Sequence, residues 1–280
     1  MYKILKKREL NPTVTLMAIE APLVARAAEP GQFIILRVDE EGERIPLTIA
    51  DFDREKGSVT IIFQIVGATT EKLNRKKEGE YIEDFAGPLG RATETEGLKK
   101  VAVVGGGVGC AIAYPVAKKL FESGCEVHSI VGFRNKDLVI LEDEFRAKSS
   151  RFVLMSDDGS CGERGLVTDA LRRLIESGEK YDRVITIGPL VMMKFVSKLT
   201  KEYGIPTVAS MNPVMIDGTG MCGGCRLTVG GKTKFACVDG PEFDAHEIDF
   251  DEAMARSSMY RDFERHAHED ACNLFKKTEG

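Results

Sequence analysis

The regular alternation of apolar runs and helical segments between residues 100 and 210 is the feature that most constrains the fold of this chain. The run KVAVVGGG, beginning at Lys100, has the continuous apolar character of a strand buried in a parallel sheet, and it ends in glycines. VGCAIAYPVAKKLFESG follows with helical spacing, Gly124 is its expected C-cap, and Pro115 is expected to kink or shorten it near its start. Four further apolar runs, the last being PTVASMN, alternate with helical segments. This pattern predicts a parallel α/β domain over residues 99–210.

Residues 1–98 have a different pattern, which predicts an antiparallel β barrel or sandwich. Short β-branched runs recur in TVTLMAIEA, GQFIILRV and SVTIIFQIV, and turn residues separate them. The polar segment GPLGRATETEGLKK, residues 87–100, is interpreted as a linker. The expected fold class is therefore β barrel plus α/β, with residues 211–280 as a small C-terminal module.

Composition excludes several classes of protein. A chain of 280 residues is long enough for two domains and a small third module, and its net charge of −5 argues against nucleic-acid binding. No apolar run approaches the roughly 18 residues of a membrane span. The segment MYKILKKRELNPTV lacks the apolar core of a signal peptide. We therefore expect a cytoplasmic protein with no membrane or nucleic-acid partner.

Three of the seven cysteines form a C-x2-C-x11-C pattern that indicates a metal site: Cys222, Cys225 and Cys237. Gly223 and Gly224 allow a tight turn that offers two sulfurs and directs backbone N–H groups toward a cluster. Without an export signal, crowded cysteines indicate metal or redox use rather than disulfides. The pattern predicts an iron–sulfur cluster. A tetrahedral zinc site and incidental thiols are the alternatives, and three cysteines alone do not decide between [2Fe-2S] and [4Fe-4S].

Asp217 is the predicted fourth ligand of this metal site. It lies five positions before Cys222, where the first thiolate of a C-x4-C-x2-C run would stand. The alternative is that Asp217 only caps the DGTG turn. The segment CRLTVGGKTKFAC predicts a hairpin that turns at Gly230 and Gly231 and carries Cys225 and Cys237 at its two ends.

The loop after the first parallel strand is a candidate dinucleotide site, although Cys110 replaces the last glycine of the G-x-G-x-x-G pattern. Its residues are Gly105, Gly106, Gly107, Val108 and Gly109. Two later loops, SDDGSCG and IGPLVMMKFV, also follow predicted parallel strands. Asp157 and Asp158 in the first of these are candidates to accept from ribose hydroxyls, and they would repel a 2′-phosphate. They favour NAD(H) over NADP(H), unless they are only a solvated turn.

Two segments of the β-rich region, RIPLTIAD and FQIVGATTEKL, are candidates for holding a flavin, although composition alone does not reveal one. Arg44 and Thr48 are suited to phosphate or ribityl oxygens, and the backbone of residues 63–66 to the edge of a flat ring. A second anion site is predicted at the start of the following helix. Its residues are Gly67, Thr69 and Thr70.

The order of motifs RIPLT, VGATT, GPLG, GGGVGCAIAYP and IGPLVMM resembles that of the ferredoxin–NADP reductase superfamily. The cysteine pattern narrows the resemblance to the branch that includes the electron-transfer subunits of dihydroorotate dehydrogenase B. Within it, the chain is most similar to the small subunits of NADH-dependent reduced ferredoxin:NADP+ oxidoreductases, over essentially its whole length.

This resemblance implies FAD on the barrel, NAD(H) on the α/β domain and a [2Fe-2S] cluster in the C-terminal module. It also implies a heterodimer with a larger subunit that carries FAD and [4Fe-4S] clusters, and coupling of NADH, ferredoxin and NADP+ through that partner by electron bifurcation. No catalytic acid or base is implied. With the residue pattern above, the expected FAD contacts are Arg44, Pro46, Leu47, Thr48, Phe63, Gln64, Ile65, Val66, Gly67, Thr69 and Thr70. The expected NAD(H) contacts are Gly105 to Gly109, Asp157, Asp158, Gly188, Pro189 and Met192.

The chain departs from the superfamily at two positions. Asp217 stands where the dihydroorotate branch has a fourth cysteine, which favours the ferredoxin:NADP+ branch, and Ile187 stands where many members have a cysteine before Gly-Pro. An electron-transfer subunit of a dihydroorotate dehydrogenase is the alternative within the superfamily. A redox-sensing nucleotide-binding module is the alternative of another class. Residues 249–276 are expected to be helical, packed on their own domain or against a partner.

Overall fold

The computed structural model describes residues 1–259, which form two seven-stranded sheets and a two-stranded hairpin. The predicted helix over residues 249–276 is described only in its first part, and His266, His268 and Cys272 lie outside the described residues. Within residues 1–259, no helix has both the length and the apolar character needed to cross a membrane.

The first sheet is a nearly closed antiparallel barrel with strand order β6-β1-β2-β5-β4-β3-β7, as the β-branched runs predict. Residues 81–89 close it, because their first part pairs with β1 and the rest pairs with β3. The elements are β1 (Tyr2–Asn11), β2 (Val14–Glu20), α1 (Pro22–Ala27), β3 (Phe33–Arg37), β4 (Arg44–Asp53), β5 (Ser58–Gln64), α2 (Ala68–Arg75), β6 (Tyr81–Ile82) and β7 (Asp84–Leu89).

Strand β3 faces two different cores, because successive side chains of a strand point to opposite faces. Ile34 and Leu36 are fully buried inside the barrel. Phe33 and Ile35 face outward and are buried in a separate core that also contains Cys225. The barrel therefore supplies part of the core of the C-terminal module.

The interpretation of residues 87–100 as a linker is wrong at its start. Residues 87–89 belong to β7 and pair with β3, so the connection between the sheets begins only after Leu89. GPLG is read as a loop from sequence because glycine and proline are rare within strands. Glycine and proline are tolerated in β7 because this strand lies at the end of the strand order and pairs with β3 on one side only.

The second sheet has strand order β11-β10-β9-β8-β12-β13-β16, and every pairing in it is parallel except that of β16 with β13. The predicted alternation of strands and helices is confirmed. The elements before the C-terminal module are β8 (Lys100–Gly106), α3 (Cys110–Glu122), β9 (Glu126–Phe133), α4 (Glu142–Ala147), β10 (Arg151–Ser156), β11 (Glu163–Arg164), α5 (Val167–Glu176), β12 (Arg183–Ile187), α6 (Leu190–Glu202) and β13 (Thr207–Ser210).

Helix α3 lies between the sheet and the barrel, and it runs through Pro115 to end just before Gly124, its expected C-cap. It continues for seven residues beyond Pro115, to Glu122. A proline deprives an α-helix of one backbone hydrogen bond. Here the buried Val116, Ala117 and Leu120 pack in the same core as Val14 and Ile62 of the barrel. This burial on both sides stabilises the helix beyond the proline.

The C-terminal module consists of a hairpin and a strand that joins the second sheet. The hairpin turns at Gly230 and Gly231, whose φ angles of 57° and 70° are those of the predicted tight turn. The elements are β14 (Arg226–Val229), β15 (Lys232–Phe235), α7 (Ala236–Asp239), β16 (Glu242–Asp244) and α8 (Phe250–Ser257).

The segment after β7 ties the barrel to this module. The backbone N–H of Arg91 donates to Gly240 O at 2.7 Å, and its Nε donates to Val238 O at 3.2 Å. Two residues later, Thr93 Oγ1 donates to Glu242 Oε1 at 2.6 Å. The enclosed Glu242 carboxyl group has its pKa raised to about 7, because burial disfavours its charged form.

We expect Glu242→Gln to remove a pH dependence of stability. Glu242 has a pKa near 4.5 when exposed and about 7 in the folded protein, so the folded state holds its proton more tightly. Its contribution to stability is complete below about pH 4.5 and is lost as the pH rises through 7. Part of the residue contacts solvent, so the loss is about 1–3 kcal/mol.

The measurement is the chemical-denaturation midpoint of both proteins between pH 5 and pH 8. Glu242→Gln should be the more stable protein at pH 8, because glutamine stays neutral and still accepts from Thr93. Glu94→Gln, in which the original side chain is 87% exposed, is the control. Equal slopes in all three proteins would contradict the assignment.

Candidate functional site

The predicted dinucleotide loop lies where the strand order of the second sheet reverses. From β8 the chain adds β9 and then β10 on one side, and it returns with β12 on the other side of β8. Ligands of open α/β sheets bind at the carboxyl ends of the strands at such a point. The loops after β8 and β12 meet there, which brings Gly106 and Gly109 together with Gly188, Pro189 and Met192.

Three glycines of the first loop leave too little room for a side chain. Gly106 and Gly109 face the second loop, and Gly105 faces the start of α3. A Cβ on Gly109 would lie 2.6 Å from Gly188 Cα, and one on Gly106 would lie 2.4 Å from Met192 Sδ. A Cβ on Gly105 would lie 2.9 Å from Cys110 Sγ. Cys110 is fully buried, and burial raises its pKa, so this thiol is not a ready nucleophile.

Gly107 differs from its neighbours because it faces open space. Its φ is 54°, which favours glycine, and no atom lies within 4 Å of where its Cβ would be. Gly107 and Val108 are the partly exposed residues of the loop, directly before the N-terminus of α3. The residues present therefore fit a ligand phosphate, with the backbone of Gly107 as the exposed part and the other glycines as its support.

Asp157 and Asp158 lie at the same edge of the sheet but at the end of β10, two strands from β8, and both are exposed. Asp158 Oδ1 accepts from the backbone N–H of Ser160 at 2.9 Å, and this interaction lowers the pKa of Asp158. Asp158 thus stabilises its own turn, which leaves Asp157 as the better candidate for a ribose. Their role in cofactor selection stays a prediction.

The candidate flavin residues lie on β4, at the end of β5 and around the start of α2. Phe63 is 2% exposed and points into the barrel core, so only its backbone is available to a ligand. Val66 is 71% exposed, which is unusual for a large apolar side chain and suits an aromatic ring as neighbour. Gly67 faces open space, and Thr70 Oγ1 accepts from its backbone N–H at 3.0 Å. These features fit a flavin, although which residues touch it stays a prediction.

The thiols of Cys225 and Cys237 are brought together by the hairpin, with their sulfurs 3.2 Å apart and both residues 2% exposed. Burial, the neighbouring Cys225 thiol and the Asp217 carboxylate together raise the pKa of Cys237. The ionised form of the two thiols therefore lacks a nearby cation, and a bound metal ion would supply that positive charge. The donor set fits a metal centre.

Cys222 and Asp217 form the exposed half of the site. The two oxygens of Asp217 accept from the backbone N–H groups of Thr219 at 2.7 Å and Cys222 at 2.8 Å, which lowers the pKa of Asp217. The turn-capping role is therefore present. It does not exclude ligation, because an ionised carboxylate has about four acceptor positions. The backbone N–H of Gly224 lies 3.4 Å from Cys222 Sγ, as expected beside a cluster ligand.

A single-ion zinc site is not what this geometry suits. Four ligands of one tetrahedral zinc lie close together, since each Zn–S bond is only about 2.3 Å. Across residues 1–259, no three of Asp217 and the cysteines come within 4.8 Å of one another. A [2Fe-2S] core has two irons with two protein ligands each. It therefore requires only that the four ligands lie in two close pairs.

The one group of three within 4.8 Å among the described residues consists of Glu126, His128 and Glu179, at the opposite, amino end of the parallel strands. Lys100 Nζ lies 2.8 Å from Glu126 Oε1 and also pairs with Glu179. The two carboxylates raise the pKa of Lys100. Lys100 and Arg151, whose Nη1 lies 3.3 Å from Glu179 Oε1, already balance the two carboxylates, so we interpret the group as a structural ion network.

The loop before Cys222 lies directly on the barrel, and this contact was not predicted from sequence. A Cβ on Gly218 would lie 2.9 Å from both Ile35 of β3 and Leu89 of β7. Ile35 is paired with Pro46, within the predicted flavin segment. Arg44 Nε donates to Ile216 O at 3.2 Å. The candidate flavin strand and the candidate cluster loop are thus neighbours.

Comparison with known proteins agrees with this arrangement. Residues 212–249 match the iron–sulfur cluster binding domain of dihydroorotate dehydrogenase B. The chain is 46% identical, over 100% of its length and 97% of the relative, to a Thermotoga maritima homologue of the electron transfer subunit of dihydroorotate dehydrogenase B (NAD(+)). It is 54% identical to an uncharacterised Clostridium beijerinckii protein, over 93% of this chain and 91% of that one.

A solved structure shares the whole fold. It is that of an NADH-dependent reduced ferredoxin-NADP oxidoreductase, described as giving insights into flavin-based electron bifurcation. Its matching chain is 45% identical with a TM-score of 0.91, over 96% of this chain and 97% of that chain. The arrangement of barrel, parallel sheet and C-terminal module predicted from sequence is confirmed by this match.

We expect Gly109→Ala to weaken dinucleotide binding. The φ of Gly109 is −58°, so alanine is allowed locally, but its Cβ would lie 2.6 Å from Gly188 Cα and would push the two loops apart. The measurement is a titration with NADH, in which Kd should rise at least about tenfold. Ser123→Ala, at the exposed C-terminal end of the same helix, where φ is −82°, is the control. An unchanged Kd would show that the contact of the loops is not needed for binding.

Proposed function

Because the chain belongs to the family of dihydroorotate dehydrogenase B electron-transfer subunits and their homologues, we propose that it passes electrons between NAD(H), FAD and a [2Fe-2S] cluster. It is the smaller subunit of an electron-bifurcating NADH, NADP and ferredoxin oxidoreductase. The similarity to the solved oxidoreductase over nearly the whole chain supports this assignment. The larger partner subunit carries FAD and [4Fe-4S] clusters, and ferredoxin and NADP+ react there.

The residues assigned to each cofactor are part of the proposal. Arg44 to Thr48 and residues 63–70 hold FAD, the loops after β8 and β12 hold NAD(H), and Asp217 with the three clustered cysteines holds the [2Fe-2S] cluster. When bound, the nicotinamide exchanges a hydride, the flavin exchanges one or two electrons, and the cluster exchanges single electrons. The protein's own part is to bind and orient these groups and to exclude water, so no side chain is assigned as a catalytic acid or base.

The contact between the cluster loop and the barrel is the observation that carries this proposal. Gly218 is packed on Ile35 and Leu89, and Arg44 is bonded to Ile216, so a cluster at Asp217 is beside the strand assigned to FAD. A redox-sensing module would not need the flavin site and the cluster site to be adjacent. Rapid bleaching of the flavin by NADH, followed by reduction of the cluster, tests the relay, and a colourless purified protein would contradict it.

Within the cluster we propose a pairing of ligands. Cys225 and Cys237, whose sulfurs are 3.2 Å apart, bind one iron. Asp217 and Cys222 bind the other, and the backbone N–H of Cys222 donates to Asp217 Oδ2 at 2.8 Å. The first iron is then buried and the second faces solvent. The oxygen ligand is on the exposed side.

A role in pyrimidine synthesis is the second candidate, and it ranks lower. The matched iron–sulfur domain and the Thermotoga maritima relative are both named for dihydroorotate dehydrogenase B, which supports a related branch. Asp217 in place of the first cysteine separates this chain from that branch. The partner decides between them, since a barrel-type FMN enzyme in the native complex would favour the pyrimidine pathway.

The exposed side of the cluster site is the proposed docking surface for the larger subunit. Large apolar side chains surround Cys222, and they are exposed by 43% at Val214, 56% at Ile216, 88% at Met221 and 40% at Val238. Apolar surface grouped in this way indicates a binding site for another protein. Electrons that leave the exposed iron would then cross this surface to the partner.

We also place the subunit in the cytoplasm. No disulfide links the six cysteines among the described residues, which suits a reducing compartment.

We expect Asp217→Cys to keep the cluster while changing its spectrum and lowering its midpoint potential. A thiolate is a softer ligand that donates more electron density to iron than a carboxylate does. The measurements are the absorption and EPR spectra and a redox titration. Asp53→Asn, which changes a turn aspartate of the barrel that accepts from Glu55 N and Lys56 N, is the control. An unchanged spectrum and potential would mean that Asp217 is only a turn residue.

We expect Met221→Glu to weaken subunit association and to leave the cofactors in place. A charge at this 88% exposed position would have to be desolvated in the interface. The measurement is the amount of larger subunit that co-purifies with a tagged chain from its native cells, together with iron and flavin content. Leu23→Glu, on a 77% exposed leucine of α1, is the control. Equal recovery of the partner with both variants would refute this surface.

A further inference from the structure

Arg44 makes a contact that a flavin ligand does not require. Its Nε donates to the backbone carbonyl of Ile216 at 3.2 Å, across 172 positions of sequence. Arg44 begins β4 on the barrel, and Ile216 directly precedes Asp217 in the cluster loop. One barrel side chain thus binds the peptide that leads into the exposed half of the cluster site.

The loop has few other attachments at this point. Among residues 1–259, the hydrogen bonds of the Asp217 carboxylate stay within its own turn, to Thr219 and Cys222. Gly218 rests on the apolar side chains of Ile35 and Leu89, which restrain its distance from the barrel but provide no directional bond. The Arg44 hydrogen bond therefore fixes the orientation of the loop on the barrel, which contact with apolar side chains does not fix.

Guanidinium chemistry allows Arg44 to bind on two sides at once. Its planar group carries five N–H donors, and Nε accounts for one of them. The residue is exposed, and the Nη1 and Nη2 donors at the end of the group form a second edge, separate from the edge that contains Nε. One edge can hold the Ile216 carbonyl while the other binds an anionic or carbonyl oxygen of a flavin.

We propose that Arg44 is a positioning residue for the iron–sulfur cluster, which fixes the Asp217 end of the cluster loop to the barrel beside the flavin. The inference rests on the proposed function and adds a residue to the cluster site that no spacing of cysteines reveals. Arg44 acts through the loop backbone and touches no iron. Its removal loosens the exposed half of the site first.

The test compares Arg44→Met with Arg37→Met in the full-length purified protein. Arg37 is directly opposite Arg44 in the β3–β4 pair, but it binds Asp84 and Glu40 O within the barrel. Two readouts apply, namely the EPR spectrum of the reduced cluster and the rate of iron loss to an added chelator. Arg44→Met should change the g-values and speed iron loss about 3- to 10-fold, the effect of one hydrogen bond. Arg37→Met should change neither.

Two further samples separate this inference from a role of Arg44 in flavin binding alone. Wild-type protein depleted of FAD is the reference for any flavin loss, and Arg44→Met must lose iron faster than this reference. Equal rates, or an EPR spectrum identical to that of wild type, would overturn the inference. Arg44→Lys, which keeps the charge without the planar fork, should lie between wild type and Arg44→Met, and it replaces the latter if that variant does not fold. A wild-type protein without iron would instead overturn the proposed function.

Discussion

The antiparallel pairing of β16 with β13 is the interaction on which the position of the whole candidate site depends. Val208 to Ser210 pair with Glu242 to Asp244, and this short ladder attaches the C-terminal module to the edge of the parallel sheet. Only four residues separate Cys237 from Glu242, so the ladder also fixes where the buried thiol lies. Hydrogen bonds from Arg91 and Thr93 then hold the same segment against the barrel.

The two sides of β3 explain how one barrel serves two cores. Strand periodicity sends Ile34 and Leu36 inward, where they help to close the barrel, and sends Phe33 and Ile35 outward, where they meet Cys225 and Cys237. Outward-facing residues of the barrel, Ala209 of the parallel sheet and the buried thiols of the candidate metal site thus share the second core. The closeness of the flavin strand to the cluster loop follows from this shared interior and not from any flexible connection.

Local patterns made much of this structure predictable. The strand, glycine loop and helix from Lys100 onward, and the hairpin at Gly230 and Gly231, depend on residues close together in sequence, and both are present in the structure. What the sequence could not reveal depends on contacts between distant segments. The bond from Arg44 to Ile216 and the burial of the Glu242 carboxyl group belong to this class. Packing of α3 on two sides belongs to this class too, and it keeps the segment helical on both sides of Pro115.

Placing two thiol ligands in the interior shared by the barrel and the sheet has a consequence for how the protein is made. Cys225 and Cys237 are among the last parts of the described chain to leave the ribosome, after both larger domains have had time to fold. On the proposed ligand assignment, iron has to reach the hairpin before it closes against Phe33 and Ile35. A shortage of iron during synthesis would then leave two folded domains with an incomplete junction between them.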